Sequence, residues 1–199
     1  MKIKLLILDF DGTIADSKSI WIESISKSLK ERGIKINKRV IKEKIGYRLR
    51  DFLKLSKIKK RDRETLRREI KESVAERIKT VKPAPHFTTI KRIKMRKVIV
   101  SNSPRKILEN FFSRHKMRFD YIITDPRTKE GAIRFLCKKY RVNVNEAIYV
   151  ADKIRDKKAA QSVGCKYILV RAVSWDKPKL SKMKNKNIIN NLKGLYKIL

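Results

Sequence analysis

Cysteine is nearly missing from the chain: Cys137 and Cys165 are the only two in 199 residues, and they form no C-x-x-C pair. That excludes a disulfide framework and points to a reducing compartment. Histidine is as scarce, and His86 and His115 have no partner pattern, so both read as surface or packing residues. Acids are few, 20 against 54 Lys and Arg, which leaves a formal net charge of +34 and little basis for surface ion-pair networks. No apolar stretch reaches the roughly 18 residues of a membrane span. The N-terminal apolar run is interrupted by Lys2 and Lys4 and flows into Asp9, so it reads as a strand and not as a signal peptide. A soluble, cytoplasmic protein with no membrane partner is expected. Internal repeats, zinc fingers, RNP-like strands and basic–aromatic interleaving are lacking as well.

Hydrophobic residues make up 41% of the chain and charged residues 37%. Apolar runs alternate with charged ones, which argues for a folded domain, or one domain with a small insert, rather than disorder. At this length a core can be buried without staples. The positive charge is spread throughout, so it reads as a solvated surface more than as a nucleic-acid groove. Nucleic acid stays as a partner of second rank, while the field should draw small anions toward the protein.

Ile3 and Leu5 to Leu8 form a short continuous apolar run, the signature of a strand covered on both faces. Asp16 or Ser17 is placed to cap a helix carrying Trp21, Ile25 and Leu29, with Gly33 to stop it. Helices are expected over 37–45 and 47–55, broken at Gly46, and over 61–80. Pro83-Ala84-Pro85 marks a boundary. Strands are then expected over 97–100, 121–124, 147–150 and 167–170, with helices between them. The helix after the first of these is opened by Ser103 and Pro104. Strand alternating with helix implies a parallel sheet with right-handed crossovers. The Lys-rich stretch 177–187 reads as a mobile connection, and Ile188, Ile189, Leu192, Leu195 and Ile198 as a last helix. Trp21 reads as core and Trp175 as exposed.

The plan is a discontinuous α/β core, residues 1–14 and 84–199, with a helical insert at 15–83. Ligands of open parallel sheets bind beyond the carboxyl ends of the strands. Those ends carry Asp9 and Asp11, Ser101 and Asn102, Asp125, and Asp152. Two carboxylates at i and i+2 after a buried strand coexist comfortably only when a cation shares the site. Asp152 and Asp156 could close the same site. An all-oxygen set favours a hard ion, and Mg²⁺ is the usual partner when phosphate supplies further ligands.

Asp9-Phe10-Asp11-Gly12-Thr13-Ile14 resembles the first motif of the haloacid dehalogenase superfamily, phosphatase branch. Val98-Ile99-Val100-Ser101-Asn102 is similar to the second motif, Lys129 stands where the third-motif lysine falls, and 149–156 resembles the fourth. The resemblance implies a Rossmann-like parallel sheet with helices on both faces and a small helical cap inserted after the first strand. It implies Asp9 as the nucleophile forming an aspartyl-phosphate, Asp11 as the acid and base, and Ser101, Asn102 and Lys129 as phosphate ligands. Asp9, Asp11 through its main-chain carbonyl, Asp152 and Asp156 would hold Mg²⁺. In the insert, 46–50 resembles the loop that reaches over such sites, where Arg48 or Arg50 could grip a substrate carboxylate or second phosphate. The activity implied is Mg²⁺-dependent hydrolysis of a small anionic phosphate monoester, such as phosphoglycolate. A phosphomutase and a nucleotide or nucleic-acid-end phosphatase are the alternatives. Lys153 departs from the family, standing where Ser or Thr is common, and Ala151 replaces a usual Gly.

Overall fold

The computed structural model describes residues 2–45 and 47–199, apart from the Lys38 side chain. Gly46, expected to separate two helices, lies outside the described residues. The apolar run becomes β1, Leu5–Leu8, with every residue buried. Five strands follow: β2 Arg96–Ser101, β3 Tyr121–Thr124, β4 Ala147–Ala151, β5 Lys166–Val170 and β6 Ile188–Ile189. They form one sheet of order β3-β2-β1-β4-β5-β6, parallel at every pairing. The parallel α/β expectation is met.

Side chains alternate across the sheet with the strand period of two. Leu6, Leu8, Ile99, Ile148 and Val150 pack into one apolar layer, and Leu5, Ile7, Val98, Val100 and Tyr149 into the other. Both faces are therefore covered, which is why these strands read as unbroken apolar runs.

Helices α1 Lys18–Glu31, α2 Lys38–Lys44, α3 Leu49–Leu55 and α4 Lys60–Arg77 all lie between β1 and β2. Trp21, Ile25 and Leu29 of α1 and Leu66, Ile70 and Val74 of α4 are buried, as the four-residue spacing required. A short α5, Thr88–Arg92, precedes β2. The crossovers carry α6 Arg105–Arg114, α7 Lys129–Tyr140, α8 Ile154–Ser162 and α9 Lys177–Ser181. Among the described residues no helix is long and apolar enough to cross a membrane.

Two expectations change toward the C-terminus. The 177–187 stretch contains α9, whose Leu180 is buried. Ile188 and Ile189 are not helical but pair with Leu169 and Val170 as a sixth strand. The expected last helix is met only over Leu192–Lys197, as a 3₁₀ helix with Leu192 and Leu195 buried, started by Asn191, whose side chain accepts from the Lys193 N–H. A β-branched pair followed by two asparagines ends one element and caps the next, so the apolar spacing alone misled.

Strand order reverses about β1, with β2 on one side and β4 on the other. The crevice beyond their carboxyl ends is where such a sheet offers a ligand site.

Candidate active site

The loop leaving β1 is wound tightly. The Asp9 N–H donates to the Val150 carbonyl at 2.9 Å, while the amides of Thr13, Ile14 and Ala15 all converge on the Phe10 carbonyl. Gly12 takes φ +75°, and a Cβ there would lie 2.3 Å from Asp152 Oδ2 and 2.7 Å from Trp175 Cδ1. Only glycine fits, for reasons of both backbone and space.

This turn presents Asp9 to Lys129, the first residue of α7. Lys129 Nζ donates to Asp9 Oδ1 at 2.9 Å, to the Val100 carbonyl at 2.6 Å and to Tyr149 Oη at 2.7 Å. All three ammonium protons are thus engaged, and the charge is fixed against Asp9. Burial pushes the Asp9 carboxyl up, but the charges of Lys129 and Lys153 and the hydrogen bond from Lys129 outweigh it and hold the group below its ordinary range. Tyr149 moves the other way: burial first, then the nearby carboxylates, keep its phenol neutral.

Beyond β4 stand Asp152 and Asp156. Asp9, Asp152 and Asp156 each bring a carboxylate oxygen within 4.8 Å of the others, and all three are buried. Asp152 Oδ2 accepts from the Trp175 N–H at 2.7 Å, and its carbonyl accepts from Ser174 Oγ at 2.8 Å. Asp152 Oδ1 and Asp156 Oδ2, by contrast, are buried without a hydrogen-bond partner among the described residues. Burial, reinforced by Asp9 and Asp156, pushes Asp152 up to about 7 despite Lys153, and burial raises Asp156 too. Orphaned buried carboxylate oxygens facing one another are costly unless a cation joins them. The donor set, all oxygen and anionic, fits a hard divalent ion such as Mg²⁺.

The Asp11 carboxylate takes no part in that cluster. Its Oδ1 accepts from Ser17 Oγ at 2.6 Å and Trp21 Nε1 at 3.0 Å, and its Oδ2 from Ser103 Oγ at 2.5 Å. Burial raises its pKa, the Ser103 and Ser17 bonds offset part of that, and Asp9 adds to the rise. Three residues with other expected duties thus hold Asp11. Ser17 sits at the start of α1 but makes no capping bond, Ser103 does not cap α6, and Trp21 is core on one side with its indole N–H in the site. No motif spacing marked them. The one available signal was an indole and two hydroxyls within a few residues of strand ends, and helix patterning explained those equally well.

Ser101 is fully buried at the end of β2, its Oγ accepting from the Ser103 N–H at 3.1 Å. Its own hydroxyl proton remains to be donated. Asn102 lines the same cavity as Asp9. Trp175, expected to be exposed, is 8% exposed and lies against the site, and Lys153 is 6% exposed.

Over these groups α1, α3 and α4 close a cavity. Arg50, Arg67 and Lys71 line it together with the apolar side chains of Ile25, Leu49 and Phe52. Arg48 instead donates to Asp125 Oδ1 at 2.8 Å and to the Arg127 carbonyl, tying the start of α3 to the loop after β3. Arg67 is forked on Glu64. Lys71 is half-buried, and desolvation followed by the Arg67 charge lowers its pKa. Arg67 and Lys71, one turn apart on α4, carried no sequence signal among so many basic residues.

The fold is shared with solved proteins of low identity. A Lactobacillus plantarum protein of inferred phosphoglycolate phosphatase activity superposes with a TM-score of 0.85 at 17% identity, covering 100% of both chains. A Haemophilus somnus protein described as a predicted phosphoglycolate phosphatase gives 0.79 at 20% identity over 100% and 98%. CbbY of Rhodobacter sphaeroides, solved in complex with phosphate, gives 0.79 at 13% identity over 98% and 99%. A search of curated protein sequences finds no match. Residues 6–170, which span the loop of Asp9 and Asp11, Lys129, and the Asp152–Asp156 turn, match the model of the haloacid dehalogenase-like hydrolases, and the chain belongs to that family.

Proposed function

We propose that this hydrolase is a phosphatase acting on a small phosphate monoester that carries a second anionic group. One observation carries the reading: a buried carboxylate, Asp9, is held ionised between the saturated ammonium of Lys129 and two under-coordinated aspartates. A carboxylate so placed is a nucleophile aimed into a cavity that needs positive charge and welcomes a phosphate.

Asp9 attacks phosphorus, and the bond from phosphorus to the ester oxygen breaks. Asp11 delivers a proton to the departing alkoxide. Water then attacks the aspartyl-phosphate, the Asp11 carboxylate takes its proton, and phosphate leaves with Asp9 restored. Burial suits Asp11 to the first role by keeping it protonated further up the pH scale. Its hydroxyl partners Ser17 and Ser103 can accept as well as donate, so they follow the proton. Ser101 and Asn102 would bind the phosphoryl oxygens, and Lys129 would stabilise their charge. Mg²⁺ would be held by Asp9, Asp152, Asp156 and the main-chain carbonyl of Asp11. When bound, it supplies charge neutralisation for the cluster and for the phosphoryl group.

Residues 15–83 serve in this reading as a cap over the core formed by 1–14 and 84–199. Arg50, Arg67 and Lys71 give the cavity wall opposite Asp9 a positive edge, suited to a carboxylate or second phosphate such as phosphoglycolate presents. Arg48 acts by joining the cap to the core.

A phosphate-release screen tests this. It should include an aryl phosphate, carboxylated and sugar phosphates, nucleotides and end-phosphorylated oligonucleotides. Turnover is expected with Mg²⁺, lost in EDTA, and fastest on an ester with a second anion. Asp9→Asn should lower it by roughly a thousandfold or more. Inactivity of the folded, Mg²⁺-loaded protein on the whole panel, or full turnover in Asp9→Asn, would overturn the assignment.

A further inference from the structure

The backbone at the start of α8 holds a residue that local preference disfavours. Lys153 is the N-cap of α8 and makes no capping bond. N-cap positions prefer Ser, Thr, Asp or Asn, and a cation there meets the positive end of the helix dipole. Burying that cation adds a desolvation cost. A residue that breaks three local preferences at once, inside a site, is a sign of function there.

Its surroundings show what retains it. Lys153 Nζ lies 4.1 Å from the centre of the Trp175 ring, a cation–π seat, and 3.9 Å from the unpartnered Asp152 Oδ1. The distance to Asp152 is beyond a hydrogen bond, so the ammonium is shelved on the indole rather than locked onto the carboxylate. The Trp175 backbone is in turn pinned by its main-chain N–H, which donates to Asp152 Oδ2 at 2.7 Å. Lys153 lines the cavity with Asp9 and Asp11. Its charge is felt at all four aspartates, Asp9, Asp11, Asp152 and Asp156.

We infer that Lys153 is a built-in cation that weakens the hold of the carboxylate cluster on a divalent ion and strengthens its hold on the phosphoryl group. The inference rests on the phosphatase reading for its second half only. With Asp11 protonated for its first role, the three carboxylates of Asp9, Asp152 and Asp156 facing two lysines leave one negative charge, which a divalent ion more than offsets. The site can then accept a phosphate dianion without an excess of negative charge beneath it. With a neutral residue at 153 the cluster would attract the ion more strongly and repel phosphate more strongly, since a unit charge a few ångströms away acts in opposite senses on the two. Trp175 is the positioning residue: its ring keeps the ammonium within reach of both ligands and out of a closed ion pair.

The test uses the full chain stripped of metal with EDTA, as wild type, Lys153→Met, Lys153→Thr and Lys153→Arg, with folding checked by near-ultraviolet circular dichroism. Mg²⁺ affinity is measured by calorimetry, and inorganic phosphate affinity by calorimetry at saturating Mg²⁺. In the Met and Thr variants Mg²⁺ should bind about tenfold tighter and phosphate about tenfold more weakly, with Arg close to wild type. Mg²⁺ affinity that is unchanged or lower in folded Met and Thr variants would overturn the inference, as would unchanged phosphate affinity. Should one neutral variant not fold, the other decides. A wild type that binds Mg²⁺ but no phosphate would sink the phosphatase reading, while the Mg²⁺ comparison still judges the effect of Lys153 on the metal.

Discussion

The Asp11 carboxylate shows how much chemistry rests on single hydrogen bonds. Ser17 and Trp21 reach it from the start of α1, and Ser103 from the loop after β2. Trp21→Phe keeps the ring in its apolar seat and deletes only the indole N–H. We expect kcat on the best monoester to fall about tenfold, with KM little changed and the melting temperature lowered by no more than a few degrees. Steady-state kinetics on that monoester, with thermal unfolding alongside, checks this. An unchanged kcat would mean that the indole bond is structural only.

A second residue-scale prediction concerns protons. Asp152 rises from its ordinary 3.8 to about 7 in the folded chain, chiefly through burial. Between those values the folded protein keeps a proton that the unfolded chain releases, so stability falls as pH rises from about 4 through 7. Asp11 and Asp156 act in the same sense and Asp9 in the opposite one. For Asp152 the loss is at most about 4 kcal/mol. In EDTA the melting temperature should drop between pH 5 and pH 8, Asp152→Asn should flatten that slope, and Mg²⁺ should restore stability at pH 8 more than at pH 5. A slope unchanged by Asp152→Asn would dissociate the effect from this carboxylate.

At the scale of elements, the site depends on how closely two strand-end loops approach. Gly12 leaves no room for a methyl group beside Asp152 and Trp175. Gly12→Ala must push the β1 loop off the β4 loop, so we expect a loss of several degrees in melting temperature and of most Mg²⁺ binding. Calorimetry on a folded preparation is the check, and wild-type affinity would contradict the close approach.

The same scale explains what could be read beforehand. Strands β1, β2 and β4 were legible because both faces of the sheet are covered there, so burial shows as unbroken apolar runs ending in chemistry-bearing residues such as Asp9, Ser101 and Asp152. The acidic cluster was legible because it follows strand ends. The clamp on Asp11 was not, since helix patterning gave Trp21 and Ser103 other duties, and only tertiary packing brings the two together on one carboxylate. β6 failed for a related reason. Ile188 and Ile189 take their conformation from an edge of the sheet already built, a partner no local pattern records.

For the molecule as a whole, the +34 charge has one sign but two consequences. A positive field raises the local concentration of a phosphoester dianion and lowers that of Mg²⁺, and both effects extend only over a Debye length, about 10 Å at 0.1 M salt. Added salt should therefore work against the substrate and in favour of the metal. We expect kcat/KM for the monoester at saturating Mg²⁺ to fall about tenfold between 20 and 500 mM NaCl, with kcat nearly constant because the bound site is screened little. Over the same range the Mg²⁺ concentration giving half activation should fall, not rise. Ordinary competition by Na⁺ for the carboxylates would raise it, so the direction of that shift separates a long-range field from local ion exchange. Viscosity and the activity of Mg²⁺ must be held equal across the salt series for the comparison to stand. If both quantities worsened together as salt rose, the excess lysines and arginines would be acting at the surface without reaching the cavity. The charge that governs the reaction would then be confined to Lys129, Lys153 and the cations of the cavity wall.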